Sequence, residues 1–212
     1  MKLTSEELRE EDFNMKSIIT ISREFGSGGR SIGKLLAERL GYAFYDGELV
    51  DEVAKRSGFA PEFIEEHGEY ANARSSLLFY LATAERCGPT GLSTQDQLYI
   101  TQSKVIGELA AKGHCVIVGR CADYVLRDNR ACLHVFICAD MESRAKRIVE
   151  RYGETSKSPE KRLAEKDQKR KIYYKNYTGR VWGQAQNYDL CLNSGVLGVE
   201  TCVDLIEQAA KD

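Results

Sequence analysis

The chain of 212 residues is 42% hydrophobic, which suits one α/β domain with a sizeable core. Its 30 basic and 32 acidic residues leave a net charge of −2, which argues against general binding to nucleic acid or to a membrane surface. No apolar run approaches the roughly 18 residues that a membrane span needs. Residues 1–15 are acidic and polar and do not resemble a signal peptide, so we predict an N-terminal tail and a cytoplasmic protein.

Five short apolar runs are predicted as strands, and helical patterns separate them. The runs cover residues 17–21, 42–45, 115–118, 133–137 and 189–192. This alternation is typical of a parallel sheet with helices on both faces, so we predict a single α/β domain over residues 16–212. Ligands of such sheets bind beyond the carboxyl ends of the strands.

A glycine-rich loop follows the first predicted strand, and a helical pattern begins directly after it. The loop reads Gly26-Ser27-Gly28-Gly29-Arg30-Ser31. Glycines allow backbone N–H groups to converge on an anion, and a helix N-terminus adds partial positive charge. We therefore predict a phosphate-binding loop, with a glycine turn that binds no ligand as the alternative.

The loop matches the phosphate-loop pattern G-x-x-x-x-G-K-[ST] only in part. Gly29, Arg30 and Ser31 fill the last three places, with arginine where the pattern has lysine. The arginine is predicted to reach the outer phosphates, and the Ser31 hydroxyl is predicted to bind Mg²⁺. Glu24 stands at the place of the first glycine, where it could repel phosphate or pair with Arg30.

Two more polar residues follow predicted strands. Asp46 comes after the second run, where it could orient an acceptor group or a Mg²⁺-bound water; a helix N-cap is the alternative. Arg120 comes after the third run and suits bidentate phosphate contact, with a surface ion pair to Asp123 as the alternative. We expect both residues at the same edge of the sheet as the loop.

A basic stripe leads from the fourth strand into a basic segment. Arg144, Arg147 and Arg151 lie three and four residues apart and so share one helix face, in a helix for which Asp140 is the predicted N-cap. The stripe is either a ligand-binding face or a solvated one.

Two insertions are predicted over the carboxyl edge of the sheet. Residues 59–113 are mostly helical. Residues 151–183 are rich in lysine and arginine, poor in aliphatic residues, and place Asp167 and Arg170 three apart on a predicted helix. A mobile basic flap of this kind neutralises phosphate charge and excludes water, so we predict a lid; a solvated basic helix is the alternative.

Seven cysteines occur without any C-x-x-C pair, and their odd number argues for reduced thiols rather than a disulfide framework. The three histidines are not clustered with them, so no structural zinc site is predicted.

Several motifs together resemble the cytidylate kinase-like family. They are the run 19–30, Phe44-Tyr45-Asp46, residues 118–124 and 144–148, Lys166-Asp167 with Arg170, Tyr188-Asp189-Leu190, and Asn193-Ser194. The resemblance covers nearly all of the chain from about residue 16.

The resemblance implies a P-loop NTPase fold with a five-stranded parallel sheet in the order 2-3-1-4-5. It implies that residues 59–113 bind the acceptor and that residues 151–183 form the lid. It also implies ATP as phosphoryl donor, Mg²⁺ as cofactor, and a nucleoside monophosphate as acceptor, with CMP or dCMP first. No nucleic acid or membrane partner is expected, and nothing in the sequence indicates an oligomeric state.

The resemblance also implies roles for individual residues. ATP phosphates are assigned to the loop, with Ser31 as Mg²⁺ ligand. Acceptor binding is assigned to Asp46 and Arg120. The catalytic and lid groups are Arg30, Arg144, Arg147, Arg151, Asp167 and Arg170.

One departure from the family affects the function. Cytidylate kinases have a lysine in the phosphate loop, whereas this chain has Arg30, whose longer, planar side chain would reach the outer phosphates differently. Residues 59–113 show no pattern that aligns with cytosine-reading residues, so a kinase is better supported than a cytidylate kinase. The alternatives are a kinase for another small phosphate or hydroxyl acceptor, and a nucleotide-binding regulatory module with little or no turnover.

Overall fold

The structure, a computed structural model, describes residues 15–46, Leu49 and residues 94–211. Five strands form one sheet in the order β2-β3-β1-β4-β5, and every neighbouring pair is parallel. The predicted α/β fold and strand order are confirmed. The N-terminal tail up to residue 14 and residues 59–93 of the first insertion lie outside the described residues.

The strands and helices alternate along the chain. The strands are β1 (Ile18–Arg23), β2 (Ala43–Tyr45), β3 (Cys115–Val118), β4 (Cys132–Cys138) and β5 (Leu190–Asn193). The described helices are α1 (Gly29–Leu40), α2 (Thr94–Ala111), α3 (Ala122–Val125), α4 (Met141–Tyr152), α5 (Pro159–Thr178) and α6 (Ser194–Lys211), with a 3-10 helix at Ala185–Asn187.

Successive residues of β1 point into two different cores. Ile19 and Ile21 pack with α1 and α6 on one face of the sheet. Ile18 packs with Leu98 and Ile106 of α2 on the other face. Because side chains alternate along a strand, this arrangement buries β1 from both sides and holds its carboxyl end in place.

The capping residues explain where the helices begin. Asp140 caps α4, and its carboxylate accepts from the backbone N–H of Ser143 at 2.8 Å, as predicted. Ser158 caps α5 directly before Pro159, which has no N–H to satisfy. Within the described residues, no helix has the length and apolarity that a membrane crossing needs.

The six described cysteines are free thiols, and Cys87 lies outside the described residues. Burial raises the pKa of Cys115 to about 11, so this thiol resists ionisation. Cys191 is exposed, and it lies in β5, an edge strand of the sheet.

We expect His134 to make the protein sensitive to acid. This ring is buried in β4, where its Nδ1 lies 2.8 Å from the hydroxyl oxygen of Thr20, and burial lowers its pKa below the ordinary 6.5. The unfolded chain therefore takes up a proton first, and the contribution of this group to stability is lost as the pH falls below about 6.5. Between pH 8 and pH 5, the free energy of unfolding measured with denaturant should fall less steeply for His134→Gln than for the wild type. Equal slopes for the two proteins would rule this out.

Candidate active site

The glycine-rich loop joins β1 to α1 in a conformation that glycine adopts most readily. Gly26 and Gly28 have φ angles of +80° and +82°, in the left-handed region. Gly29 has no room for a side chain, because a Cβ atom there would lie 2.5 Å from the Cβ of Arg23. The start of α1 is therefore packed directly against the end of β1.

Ser27 anchors this loop from within. Its hydroxyl group donates to the carbonyl oxygen of Glu24 at 3.0 Å, and its own carbonyl oxygen accepts from the hydroxyl group of Ser194. Gly28 caps α1 without a side-chain hydrogen bond. The first N–H groups of a helix have no partner within the helix, so this end of α1 suits an anion.

The arginine stripe of α4 lies against the loop. Arg144 Nη1 donates to the carbonyl oxygen of Phe25 at 3.3 Å, and Arg147 Nη1 donates to that of Gly26 at 2.8 Å. The carbonyl and the following N–H of a planar peptide point in opposite directions, so these contacts also orient the N–H groups of the loop. Arg144 and Arg147 thus contact the loop, whereas Arg151 at the end of the stripe is exposed.

Asp167 of α5 holds the same loop from another side. Its Oδ1 accepts from the backbone N–H of Phe25 at 2.7 Å, and its Oδ2 accepts from Arg144 Nη1 at 2.5 Å. Arg170 lies 3.7 Å from Asp167 and donates to the carbonyl oxygen of Arg23 at 2.9 Å. The side chains of Arg144, Asp167 and Arg170 are only 7%, 9% and 3% exposed. Their mutual interactions are therefore stronger than those of surface pairs.

Glu24 pairs with the end of β4 and with α4. Its carboxylate accepts from the backbone N–H of Ala139 at 3.1 Å and lies 3.5 Å from Arg144 Nη1. The expectation that it pairs with Arg30 is wrong, because Arg144 is the guanidinium that reaches it. This pairing reduces the repulsion that Glu24 would otherwise exert on a phosphate.

Arg30 and Asp46, which were assigned to different substrates, form one ion pair. Arg30 Nε lies 2.6 Å from Asp46 Oδ2, and the Arg30 side chain is 55% exposed. The pair borders a cavity of about 500 Å³, a size typical of ligand pockets. Ser31, Phe44 and Arg151 also line it, so the cavity joins the start of α1 to the end of β2.

Arg120 lies in a strained turn at the end of β3. Gly119, Arg120 and Cys121 have φ angles of +80°, +59° and +55°. Each of the two non-glycine residues carries a cost of roughly 1–2 kcal/mol in this conformation. The alternative of a surface ion pair with Asp123 is wrong, because both residues are buried. Strain of this kind clusters at functional sites.

Asp123 is a buried group that the sequence pattern did not assign to the site. Its Oδ1 accepts from the hydroxyl group of Ser22 at 3.1 Å, and its Oδ2 accepts from that of Tyr174 at 2.6 Å. Burial raises the pKa of this carboxyl group, and both hydroxyl contacts oppose that rise. The available sequence signal was that Tyr174 lies seven and four residues after Asp167 and Arg170, on the same face of α5.

Aromatic residues attach α5 to the rest of the protein. The rings of Tyr99 and Tyr177 stack with centroids 4.2 Å apart, and the Tyr173 hydroxyl donates to Gln102 Oε1 at 2.7 Å. The segment is poor in aliphatic residues, and in this helix tyrosines make the apolar contacts instead. Residues 151–158 are exposed throughout, and a mobile lid remains a prediction.

The oxygen donors beside the cavity are of the kind that Mg²⁺ prefers. Ser31 and Asp46 both line it, and Arg151 Nη1 donates to the Ser31 hydroxyl oxygen at 3.0 Å. Mg²⁺ takes few protein ligands and completes its shell with water and phosphate oxygens. These residues therefore fit a Mg²⁺ ion that arrives with a polyphosphate. Among the residues that the structure describes, no group of three or more His, Cys, Asp or Glu side chains could hold a metal ion.

Known proteins resemble this chain over nearly its whole length, both in sequence and in structure. A cytidylate kinase from Archaeoglobus fulgidus is 31% identical over 199 residues, which cover 91% of this chain and 94% of the relative. The crystal structure of an uncharacterized protein from Eubacterium ventriosum matches with a TM-score of 0.69 at 30% identity, covering 92% of this chain and 98% of that one. A shikimate kinase from Acinetobacter baumannii, with a TM-score of 0.51 at 15% identity over 94% and 95% of the two chains, shares the fold.

The family match extends over residues 18–196, from the first residue of β1 to the first turn of α6. It therefore includes the loop, both arginine-bearing helices and the ends of all five strands. Membership supports a phosphotransferase of the kinase type with a P-loop α/β fold. From this match and its curated relative, the chain belongs to the cytidylate kinase-like family.

Proposed function

We propose that this protein transfers the γ-phosphoryl group of ATP to a nucleoside monophosphate, with CMP or dCMP as the first candidate acceptor. One observation carries the proposal: Arg144 and Arg147 of α4 and Arg170 of α5 donate hydrogen bonds to backbone carbonyl oxygens in and directly before the glycine loop. A loop whose carbonyl oxygens are held by guanidinium groups presents its N–H groups in a fixed direction. Preorganised donors of this kind stabilise charge on a transferring phosphoryl group.

The donor phosphates are proposed to bind at the loop and at the N-terminus of α1. Arg147 lies over the loop, since its guanidinium carbon is 3.5 Å from the position of a Cβ on Gly28. We assign Arg147 and Arg151 to contact with the bound phosphates, because they bond to Gly26 and Ser31 at the loop, whereas Arg144 and Arg170 act by holding the loop. Mg²⁺, when bound with ATP through Ser31, supplies charge neutralisation at the outer phosphate oxygens.

The acceptor is proposed to enter the cavity beside Arg30. Asp46 lines this cavity and Arg120 follows the neighbouring strand β3, and on this ground we assign both to the acceptor nucleotide. Phe44 offers an apolar wall to a base or sugar. The reaction then depends on positioning and on charge neutralisation, with no covalent intermediate on the protein.

The test is a coupled kinase assay with a panel of acceptors. Purified protein with ATP and Mg²⁺ is given CMP, dCMP, UMP, AMP, GMP and a hydroxyl acceptor such as shikimate, and ADP release is measured. We expect the highest kcat/KM with CMP or dCMP. Turnover with the hydroxyl acceptor alone would replace the proposed acceptor, and ATP binding without turnover on any acceptor would favour a regulatory module.

Arg30 should matter far more than an arginine elsewhere on the same helix. In the proposed reaction its guanidinium leaves Asp46 for a phosphate, so Arg30→Ala should lower kcat/KM about 100-fold or more. Arg30→Lys should recover part of this loss, because the charge remains while the planar fork is gone. The matched control is Arg39→Ala, whose guanidinium pairs with Glu200 and Asp204 away from the loop. Equal kcat/KM for Arg30→Ala and Arg39→Ala would remove Arg30 from the mechanism.

A further inference from the structure

We infer that Asp123 is a positioning residue. Its buried carboxylate fixes the relative positions of the glycine loop, helix α5 and the turn formed by residues 119–121, which carries Arg120. The inference rests on the proposed function, because the three parts that it joins are those assigned to ATP and to the acceptor. Asp123 itself faces neither substrate: it is 3% exposed, and its two oxygens accept hydrogen bonds from other elements of the fold.

The first connection leads to the glycine loop. Asp123 Oδ1 accepts from the hydroxyl group of Ser22 at 3.1 Å. Ser22 lies in β1, one residue before Arg23, whose carbonyl oxygen accepts from Arg170, and two residues before Glu24. A shift of this strand end relative to Asp123 would therefore move the start of the loop.

The second connection leads to α5. Asp123 Oδ2 accepts from the hydroxyl group of Tyr174 at 2.6 Å. Tyr174 follows Arg170 by one turn and Asp167 by two turns, so all three lie on the same face of the helix. This face is linked to three residues between positions 22 and 25: Asp167 bonds to Phe25, Arg170 bonds to Arg23, and Tyr174 is linked to Ser22 through Asp123. Asp167 and Arg170 are themselves part of α5, whereas Asp123 belongs to a third element, α3.

The third connection is covalent and leads to Arg120. Asp123 stands in the first turn of α3, two residues after the last of the left-handed residues Gly119, Arg120 and Cys121. A short strained turn persists only where its surroundings determine it. The hydrogen bonds of the Asp123 carboxylate to β1 and α5 fix the position of α3. Because the turn precedes α3 directly, they also fix the direction of the Arg120 side chain.

The test compares the removal of two buried hydroxyl groups. Tyr174→Phe keeps the ring and deletes one bond to Asp123. Thr20→Val is the matched control: it deletes a buried hydroxyl group of β1 that bonds to His134 and not to Asp123. Asp123→Asn is the conservative variant, because an amide can accept from one hydroxyl group and donate to the other.

We expect Tyr174→Phe to lower kcat by roughly tenfold to 100-fold while the Kd of a non-hydrolysable ATP analogue changes less than twofold, since misplacement of groups costs rate more than binding. The loss of kcat should be smaller in Asp123→Asn than in Asp123→Leu. Thr20→Val should change kcat less than threefold at a similar loss of thermal stability. Equal losses of kcat in Tyr174→Phe and Thr20→Val would overturn the inference.

Hydrogen exchange of the ligand-free proteins separates this inference from the proposed function. Absence of wild-type turnover with every acceptor would refute the proposed function alone. The inference still requires that Tyr174→Phe exchange residues 119–126 at least tenfold faster than the wild type, and that Thr20→Val leave this segment unchanged. Unchanged exchange of residues 119–126 in Tyr174→Phe would overturn the inference whatever the activity.

Discussion

Replacing Asp167 by alanine should destabilise the protein by about 3 kcal/mol and disrupt the phosphate loop. The substitution removes the carboxylate that lies 2.5 Å from Arg144 and 3.7 Å from Arg170, both of which are buried. Removing one partner of a buried ion pair costs about 3–5 kcal/mol, because the remaining charge has no compensation. Glu24 remains 3.5 Å from Arg144, which places the expected loss at the lower end.

The loss of Asp167 should also weaken ATP binding, because its Oδ1 accepts from the N–H of Phe25 in the loop. We expect at least a tenfold rise in the Kd of an ATP analogue. Asp167→Asn should bind better than Asp167→Ala, since the amide oxygen still accepts from that N–H. Denaturant unfolding and calorimetric titration measure the two effects separately.

Glu165→Ala provides the control for this prediction. Glu165 lies on the same helix but is exposed and pairs with Lys157 at 2.7 Å. Exposed pairs contribute little to stability, so this variant should be close to the wild type in both measurements. If Asp167→Ala unfolds at the same denaturant concentration as Glu165→Ala, the buried ion-pair account of the loop is incorrect.

The second large effect is expected for Gly29→Ala. The new Cβ would lie 2.5 Å from Cβ and 2.9 Å from Cγ of Arg23. The Cβ of Arg23 is fixed by the backbone of β1, so the start of α1 has to move away from the strand. Overpacking of this kind costs about 1–3 kcal/mol, and displacement of the helix N-terminus should raise the Kd of an ATP analogue about 100-fold.

Gly107→Ala is the matched control, because Gly107 is also helical and a Cβ there meets nothing within 4 Å. It should raise stability by up to about 1 kcal/mol, as expected for glycine to alanine within a helix, and leave ATP-analogue binding unchanged. Wild-type affinity in Gly29→Ala would mean that the loop does not hold the phosphates.

The three central strands could be located from sequence because the apolar runs of β1, β3 and β4 are buried on both faces. A predicted strand ended too early where polar residues continue the strand beyond its apolar run. β1 extends beyond residue 21 through Ser22 and Arg23, which are buried although they are polar. Ser22 is satisfied by Asp123, 101 residues away, and no local pattern reveals a partner at that distance.

The same distinction separates what could be predicted of the site from what could not. The spacing of Arg144 and Arg147 placed them on one helix face, which is a local property. Their targets, the carbonyl oxygens of Phe25 and Gly26, lie more than 100 residues away and depend on the packing of α4 against the loop. For the same reason the sequence could not show that Arg30 pairs with Asp46.

The most direct test of the central claim follows the phosphoryl group itself. The protein is mixed with ATP labelled in its γ-phosphate, Mg²⁺ and CMP, and the products of a single turnover are separated. We predict that the label appears in the β-phosphate of CDP at a rate far above its release as inorganic phosphate. Label that remains in ATP, or that appears only as inorganic phosphate, would contradict the assignment of this site to phosphoryl transfer onto a nucleoside monophosphate.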